Sequence, residues 1–239
     1  MFMMKLENGF DVIFYTNTVL SLLLLIASLF VKVSITQKNA NSALHSQKLS
    51  LLEKFIEPKA VPISLVALLI GFAYSGVMSF LTFYAREIDL VEASSYFFLA
   101  YAFIIIFSRP YTGKLMDLRG PNIIVYPCII IFAVGMLLFS QASASWLLLV
   151  AAALIGLGYG NFNSIAQTIA VKVTEPHRFG LATSTYFILY DLGLGIGPFI
   201  LGMVEPHTTY RVIFASMIPL ILICIPLYYF LVGRKTKTL

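Results

Sequence analysis

One carboxylate stands inside an otherwise apolar run. Residues 183–198 read TSTYFILYDLGLGIGP, and Asp191 is the single charge among them. The stretch from Phe179 to Val204 carries no other charge. At about 1.5 Å per residue it crosses a hydrocarbon layer of about 30 Å as a helix, with Asp191 near the midplane. A carboxylate at that depth costs about 2.5–3.5 kcal/mol on insertion scales, so it commonly marks the path of an ion, a proton or a substrate. The alternative is a protonated acid that hydrogen-bonds a neighbouring helix. Phe187, Ile188, Leu194 and Gly195, three and four residues away, do not pair with a carboxylate. Its partner then comes from another helix, from a part of the protein outside this chain, or from a proton or a cationic group on a substrate.

A second group of polar residues lies in the run GLGYGNFNS, residues 156–164, followed by Gln167 and Thr168. Tyr159, Asn163 and Gln167 recur every four residues, which places them on one face of a helix. With Asn161, they are candidates for contact with a substrate. The competing role for such amides is to bond one membrane helix to the next. Tyr74, Tyr101, Tyr186 and Tyr190 could line the same cavity, although aromatic rings at such places more often pack. Gly156 and Gly160, like Gly193 and Gly197, have the four-residue spacing that lets helices approach closely, and Pro198 follows the second pair.

The elements that position these residues follow from composition. Hydrophobic residues make up 59% of the 239 and charged residues 11%; mean hydropathy is +0.91. That is too apolar for a soluble domain and describes an all-α, polytopic membrane protein whose first partner is the lipid bilayer. Runs free of charge mark seven transmembrane helices: Val12–Val31, Ala60–Ala85, Ala93–Ser108, two within Gly120–Val171, Phe179–Val204, interrupted only by Asp191, and Val212–Gly233. The stretch 120–171 as one helix would be about 78 Å long, so it turns at Gln141–Ser145, with Trp146 at the interface. Connecting segments then alternate sides. Thirteen Lys and Arg residues fall on one side and Lys5, Arg86 and Arg211 on the other. The positive-inside rule puts the thirteen and the C-terminus in the cytoplasm and the N-terminus outside.

Other chemistries find little footing. Cys128 and Cys224 lie inside spans and read as small buried apolar residues. His45, His177 and His207 have no metal-ligand spacing, and no hydrolase, zinc-protease or nucleotide-binding motif occurs, so neither an enzyme nor a cofactor is expected. The net charge of +5 is distributed as membrane topology requires, not as a nucleic-acid surface. A seven-helix receptor fits the helix count and orientation, but no lysine stands inside a span to hold a retinal-type Schiff base. A membrane interaction protein that transports nothing is the other alternative.

Two segments outside the spans carry motifs. Residues 33–59 form the one long connection, polar from Ser34 to Ser50, with apolar residues at helical spacing over Leu49–Ile56 that suit a short amphipathic surface helix. The segment SRPYTGKLMDLRG, residues 108–120, reads as a tight cytoplasmic turn. There Gly113 and Gly120 permit close approach and unusual dihedrals, while Asp117 caps a helix N-terminus or pairs with Arg109 or Arg119. Gly113-x-x-x-Asp117-x-x-Gly120 resembles the cytoplasmic loop motif of the major facilitator superfamily, in the copy between helices eight and nine. LEKFIEP at 52–58 resembles the end of that family's central loop, and 193–198 resembles the eleventh helix of its proton-coupled exporters. The resemblance implies helices six to twelve of a twelve-helix transporter. Residues 1–32 would then be the tail and helix six, 33–59 the central loop, 60–233 a six-helix C-terminal half and 234–239 a cytoplasmic tail. The half would consist of two three-helix repeats, 60–142 and 146–233. It further implies proton-coupled efflux of a small-molecule substrate at the cell membrane, and an N-terminal half as partner where that is encoded separately.

Overall fold

Helices are the only regular structure among the residues described, 9–30 and 55–234 of this computed structural model. A chain in lipid must satisfy its backbone hydrogen bonds within each segment, and helices do so. The residues form two units, divided after Lys48. Helix α1, Gly9–Phe30, belongs to the first. It has 22 residues and one acid, Asp11, in its first turn. Thr16, Thr18 and Ser21 turn their hydroxyls back onto the carbonyls of Val12, Phe14 and Asn17, so these polar groups are satisfied inside the helix. The polar loop and the 49–54 part of the expected surface helix fall outside the described residues.

The second unit holds the remaining helices. α2 spans Val61–Glu87 and opens on Pro62, whose missing N–H costs nothing in a first turn. A four-residue turn, α3, Val91–Ser94, leads into α4, Phe97–Arg119. α5 covers Asn122–Ser140. α6, Ser145–Ile155, passes through a π-helical turn, Gly156–Gly160, into α7, Asn161–Lys172. α8 is Phe179–Val204, and α9 is Tyr210–Tyr228 with a closing π turn, Tyr229–Gly233. Six segments of this unit are long and apolar enough to cross a membrane. The turn at 141–144 and the exposed Trp146 sit where the uncharged 52-residue stretch had to be broken.

The third span requires correction. It does not end at Ser108. The helix continues through Pro110 to Arg119, so the supposed turn of 108–120 is helical and the real turn is Gly120–Pro121. A charged side chain marks where a helix leaves hydrocarbon, and the backbone is free to stay helical beyond that point. Gly120 takes the turn at φ +80°, a conformation that favours glycine. Gly113 has no such role: it is helical, and no neighbour lies within 4 Å of where its Cβ would be. Asp117 stands in the last turn of a helix and caps no N-terminus.

Packing within this unit has the pattern that two three-helix repeats produce. α2 lies against α8, and the α6–α7 helix lies against α4, so the first helix of each repeat meets the second helix of the other. α5 meets the α6–α7 helix just as α9 meets α2, and α5 and α9 meet each other. The outcome is uneven coverage. The apolar stretch of α2 is 61% buried, whereas those of α4 and α8 are only 11% and 22% buried. The helix that carries Asp191 is therefore one of the two with a bare face.

Candidate functional site

Four elements bring their tyrosines to one place. The ring of Tyr159, from the π turn, stacks on that of Tyr74 from α2 at 3.8 Å between centroids. Tyr101 of α4 lies against Tyr74 at 5.9 Å. The hydroxyls of Tyr159 and Tyr190 are hydrogen-bonded to each other across to α8. One turn earlier on α8, the Tyr186 hydroxyl donates to Asn163 Oδ1 at 2.6 Å and its ring stacks on Tyr190 at 5.8 Å. Tyr159 with Tyr190 and Asn163 with Tyr186 thus form two successive rungs between antiparallel helices, spaced four residues apart on each. Tyr74, Tyr159, Tyr186 and Tyr190 are buried and Tyr101 is half-buried.

Glycines set these distances. A Cβ on Gly156 would meet the carbonyl oxygen of Tyr101 at 2.7 Å. One on Gly193 would run into the backbone carbonyl of Leu68, one on Gly197 into the Ser75 hydroxyl, and one on Gly160 into the Ile105 side chain. Because lipid offers no hydrophobic drive toward helix association, contact of this kind is what holds membrane helices together. The π turn has its own effect. Its i→i+5 bonds admit an extra residue, so it changes the angle at which Tyr159 leaves the helix. Pro198 lies within α8 one residue after the last of these contacts.

The remaining candidates are dispersed. Asn161 is two residues from Asn163 but faces α4. Its amide donates to Ser108 Oγ and to the Leu157 carbonyl, both at 2.8 Å, and its oxygen accepts from Thr112 at 3.0 Å. Every polar atom of that side chain is engaged, so it ties two helices and does not join the tyrosines. Gln167 is half-buried and makes no side-chain hydrogen bond among the described residues. Asp191 lies on the exposed face of α8 with Phe187, Ile188 and Gly195, beside Tyr190 in sequence. It forms no ion pair or hydrogen bond among the described residues, so this unit does not supply the partner that its depth calls for.

The loop motif is rearranged as well. Asp117 does not pair with Arg109 or Arg119. Its partner is Lys172 at the end of α7, at 2.9 Å. Arg109 and Arg119 are exposed.

Sequence reasoning missed one polar site altogether. Glu57 is only 3% exposed, and its carboxylate accepts from the guanidinium Nε of Arg178. Its backbone N–H donates to Thr185 Oγ1 at 2.8 Å, and its Oε1 accepts from the Lys59 N–H at 3.3 Å. An exposed pair, Lys59 with Glu175 at 3.5 Å, lies alongside. The chain entering α2 is thereby fixed to the first turns of α8. Glu57 and Arg178 each look like a solvated charge at a span boundary. Only a contact across 121 residues distinguishes them.

A bundle of six helices long and apolar enough to cross a membrane, with polar side chains gathered between four of its elements, is an architecture that membrane transporters use. The family model for the Major Facilitator Superfamily matches residues 3–140 and 93–239, and the chain belongs to that family. A multidrug resistance protein, MdtG of Salmonella typhi, is 28% identical over 173 residues, which cover 70% of this chain and 43% of that protein. Proteins of the same name in Salmonella paratyphi B and Salmonella newport match to the same extent. The matched region thus spans less than half the length of these curated relatives.

Proposed function

We propose that this chain is the C-terminal part of a twelve-helix transporter that exports a small molecule across the cell membrane in exchange for protons. Residues 60–233 form its second half, 33–59 its cytoplasmic central loop, and α1 its sixth helix. The observation that carries this reading is Asp191, an exposed carboxylate with no ion pair or hydrogen bond among the described residues, on one of the two most sparsely covered helices of the bundle. A face of that kind suits a pathway lined by a second six-helix half, because transporters built from repeats place substrate and coupling ion at the repeat interface near the midplane. The carboxylate would alternately hold a proton and release it, or hold a cationic group of the substrate. Tyr74, Tyr101, Tyr159, Tyr190 and Asn163 would form the wall beside it, with aromatic faces and hydroxyls for an organic ligand. Asp117, Gly120 and Lys172 would brace the cytoplasmic end as the two halves rock. Efflux is inferred from the names of the relatives, and the cytoplasmic side from the Lys and Arg asymmetry.

Reconstitution tests the reading. The purified chain alone in liposomes should move no substrate against its gradient, and adding a complementary N-terminal half should restore proton-driven transport. Coupled transport by the chain without any partner would refute the division into halves.

A further inference from the structure

We propose that the corner where α9 ends against the start of α5 binds the phosphate of an anionic phospholipid through Arg119 and Arg234. The corner is a built feature. Asn122 Nδ2 donates to the Gly233 carbonyl at 2.9 Å, and the Tyr228 hydroxyl donates to Asn122 Oδ1 at 2.7 Å. Gly233 is buried, and a Cβ there would meet the Tyr126 hydroxyl at 2.6 Å, so the end of α9 sits directly against the Tyr126 side chain of α5. Arg234 follows Gly233 directly. Arg119 precedes Asn122 by three residues, at most about 11 Å along the Cα trace, and the left-handed Gly120 turns the chain between them. Two guanidiniums with reaches of several ångströms are thus anchored to one tether.

Both arginines are exposed, and neither side chain forms an ion pair or hydrogen bond among the described residues. Three other basic residues are taken: Lys172 by Asp117, Lys59 by Glu175 and Arg178 by Glu57, whereas Arg109 and Lys114 are exposed and form no ion pair among the described residues. The acid nearest Arg119 in sequence is Asp117, so its pairing with Lys172 leaves the arginine available to an outside anion. The surroundings call for acyl chains. Leu118 is 71% and Phe230 65% exposed, next in sequence to Arg119 and four residues before Arg234. The guanidinium fork matches a phosphate in two-point contact, and Lys235 and Lys237 follow in sequence to add positive charge. A basic residue at an anionic membrane surface contributes about a fivefold gain in binding, so two together contribute roughly thirtyfold. The inference rests on α5 and α9 crossing the bilayer and not on what the protein transports.

Native mass spectrometry of the full chain in detergent tests it, with phosphatidylglycerol, phosphatidylethanolamine and inorganic phosphate as probes. Phosphatidylglycerol should bind tightest, and Arg119→Gln with Arg234→Gln should weaken it roughly thirtyfold. Arg109→Gln with Lys114→Gln, which removes the same charge from the same end, should change it little. Should that control lose as much, the effect is general charge and the site does not exist. Millimolar phosphate should fail to displace the lipid; full displacement would make the occupant a soluble anion and overturn the assignment. If the double glutamine variant does not fold, Arg119→Lys with Arg234→Lys keeps both charges and removes the forks, and should still lose several-fold. Unchanged affinity in that folded variant would also overturn the proposal.

Discussion

Glu57→Gln isolates the buried ion pair. The change keeps the volume of the side chain and removes its charge, leaving Arg178 facing a neutral amide. Side-chain exposure is 4% for the glutamate and 21% for the arginine, so the acid is enclosed while the base retains some access to water. Breaking a fully buried pair by removing one partner costs about 3–5 kcal/mol, and the partial exposure of Arg178 lowers the expectation here to about 2–3 kcal/mol. Reversible unfolding of the purified chain from mixed micelles by a denaturing detergent reads this directly. Replacing both residues together, Glu57→Leu with Arg178→Met, should cost less than the sum of the two single changes, because no unpaired charge is left behind. Lys59→Ala, which breaks the exposed pair with Glu175, should cost about 0–1 kcal/mol. If Glu57→Gln lowers stability by no more than Lys59→Ala does, the Glu57 carboxylate is in effect solvated and the reasoning about the anchor fails.

Gly193→Ala should destabilise the same preparation by about 1–3 kcal/mol, since any Cβ there enters the Leu68 carbonyl. Gly195→Ala, two residues on with nothing within 4 Å, should stay within about 0.5 kcal/mol, and equal effects would refute the close-contact account. A cysteine placed at Ser42 or Thr238 should not react with a membrane-impermeant thiol reagent applied to intact cells, and labelling at either position would invert the topology. Cys128 and Cys224 are buried and should give no background signal.

How far the sequence could be read depends on what kind of information each feature carries. α8 runs from Phe179 to Val204, the limits of an apolar run in which Asp191 is the single charge and which Arg178 and Glu205 flank. α4 overran its expected limit because Ser108 to Arg119 is amphipathic helix emerging from hydrocarbon, where hydropathy reports depth and not backbone conformation. The π turn at Gly156–Gly160 left no hydropathy signal, since inserting a residue changes register without changing composition. Tyr159 and Asn163 reached the same neighbour through their four-residue spacing. Asn161 could not be told from Asn163 in sequence: two residues apart on a helix they point in nearly opposite directions, and which direction meets tyrosines depends on packing. The Glu57 and Arg178 pair was invisible for a related reason, because local patterns carry no information about contacts between distant segments.

The most direct test of the proton-coupling account is Asp191→Asn in the transporter assembled from both halves. Asparagine keeps the shape and hydrogen-bonding capacity of the side chain and fixes it in the neutral state. Substrate exchange between equal pools should continue, while accumulation driven by a pH gradient should be lost, and Asp191→Glu should recover part of it. Transport by Asp191→Asn at the normal rate and with the normal pH dependence would show that the carboxylate is a structural hydrogen-bonding group and would contradict the account.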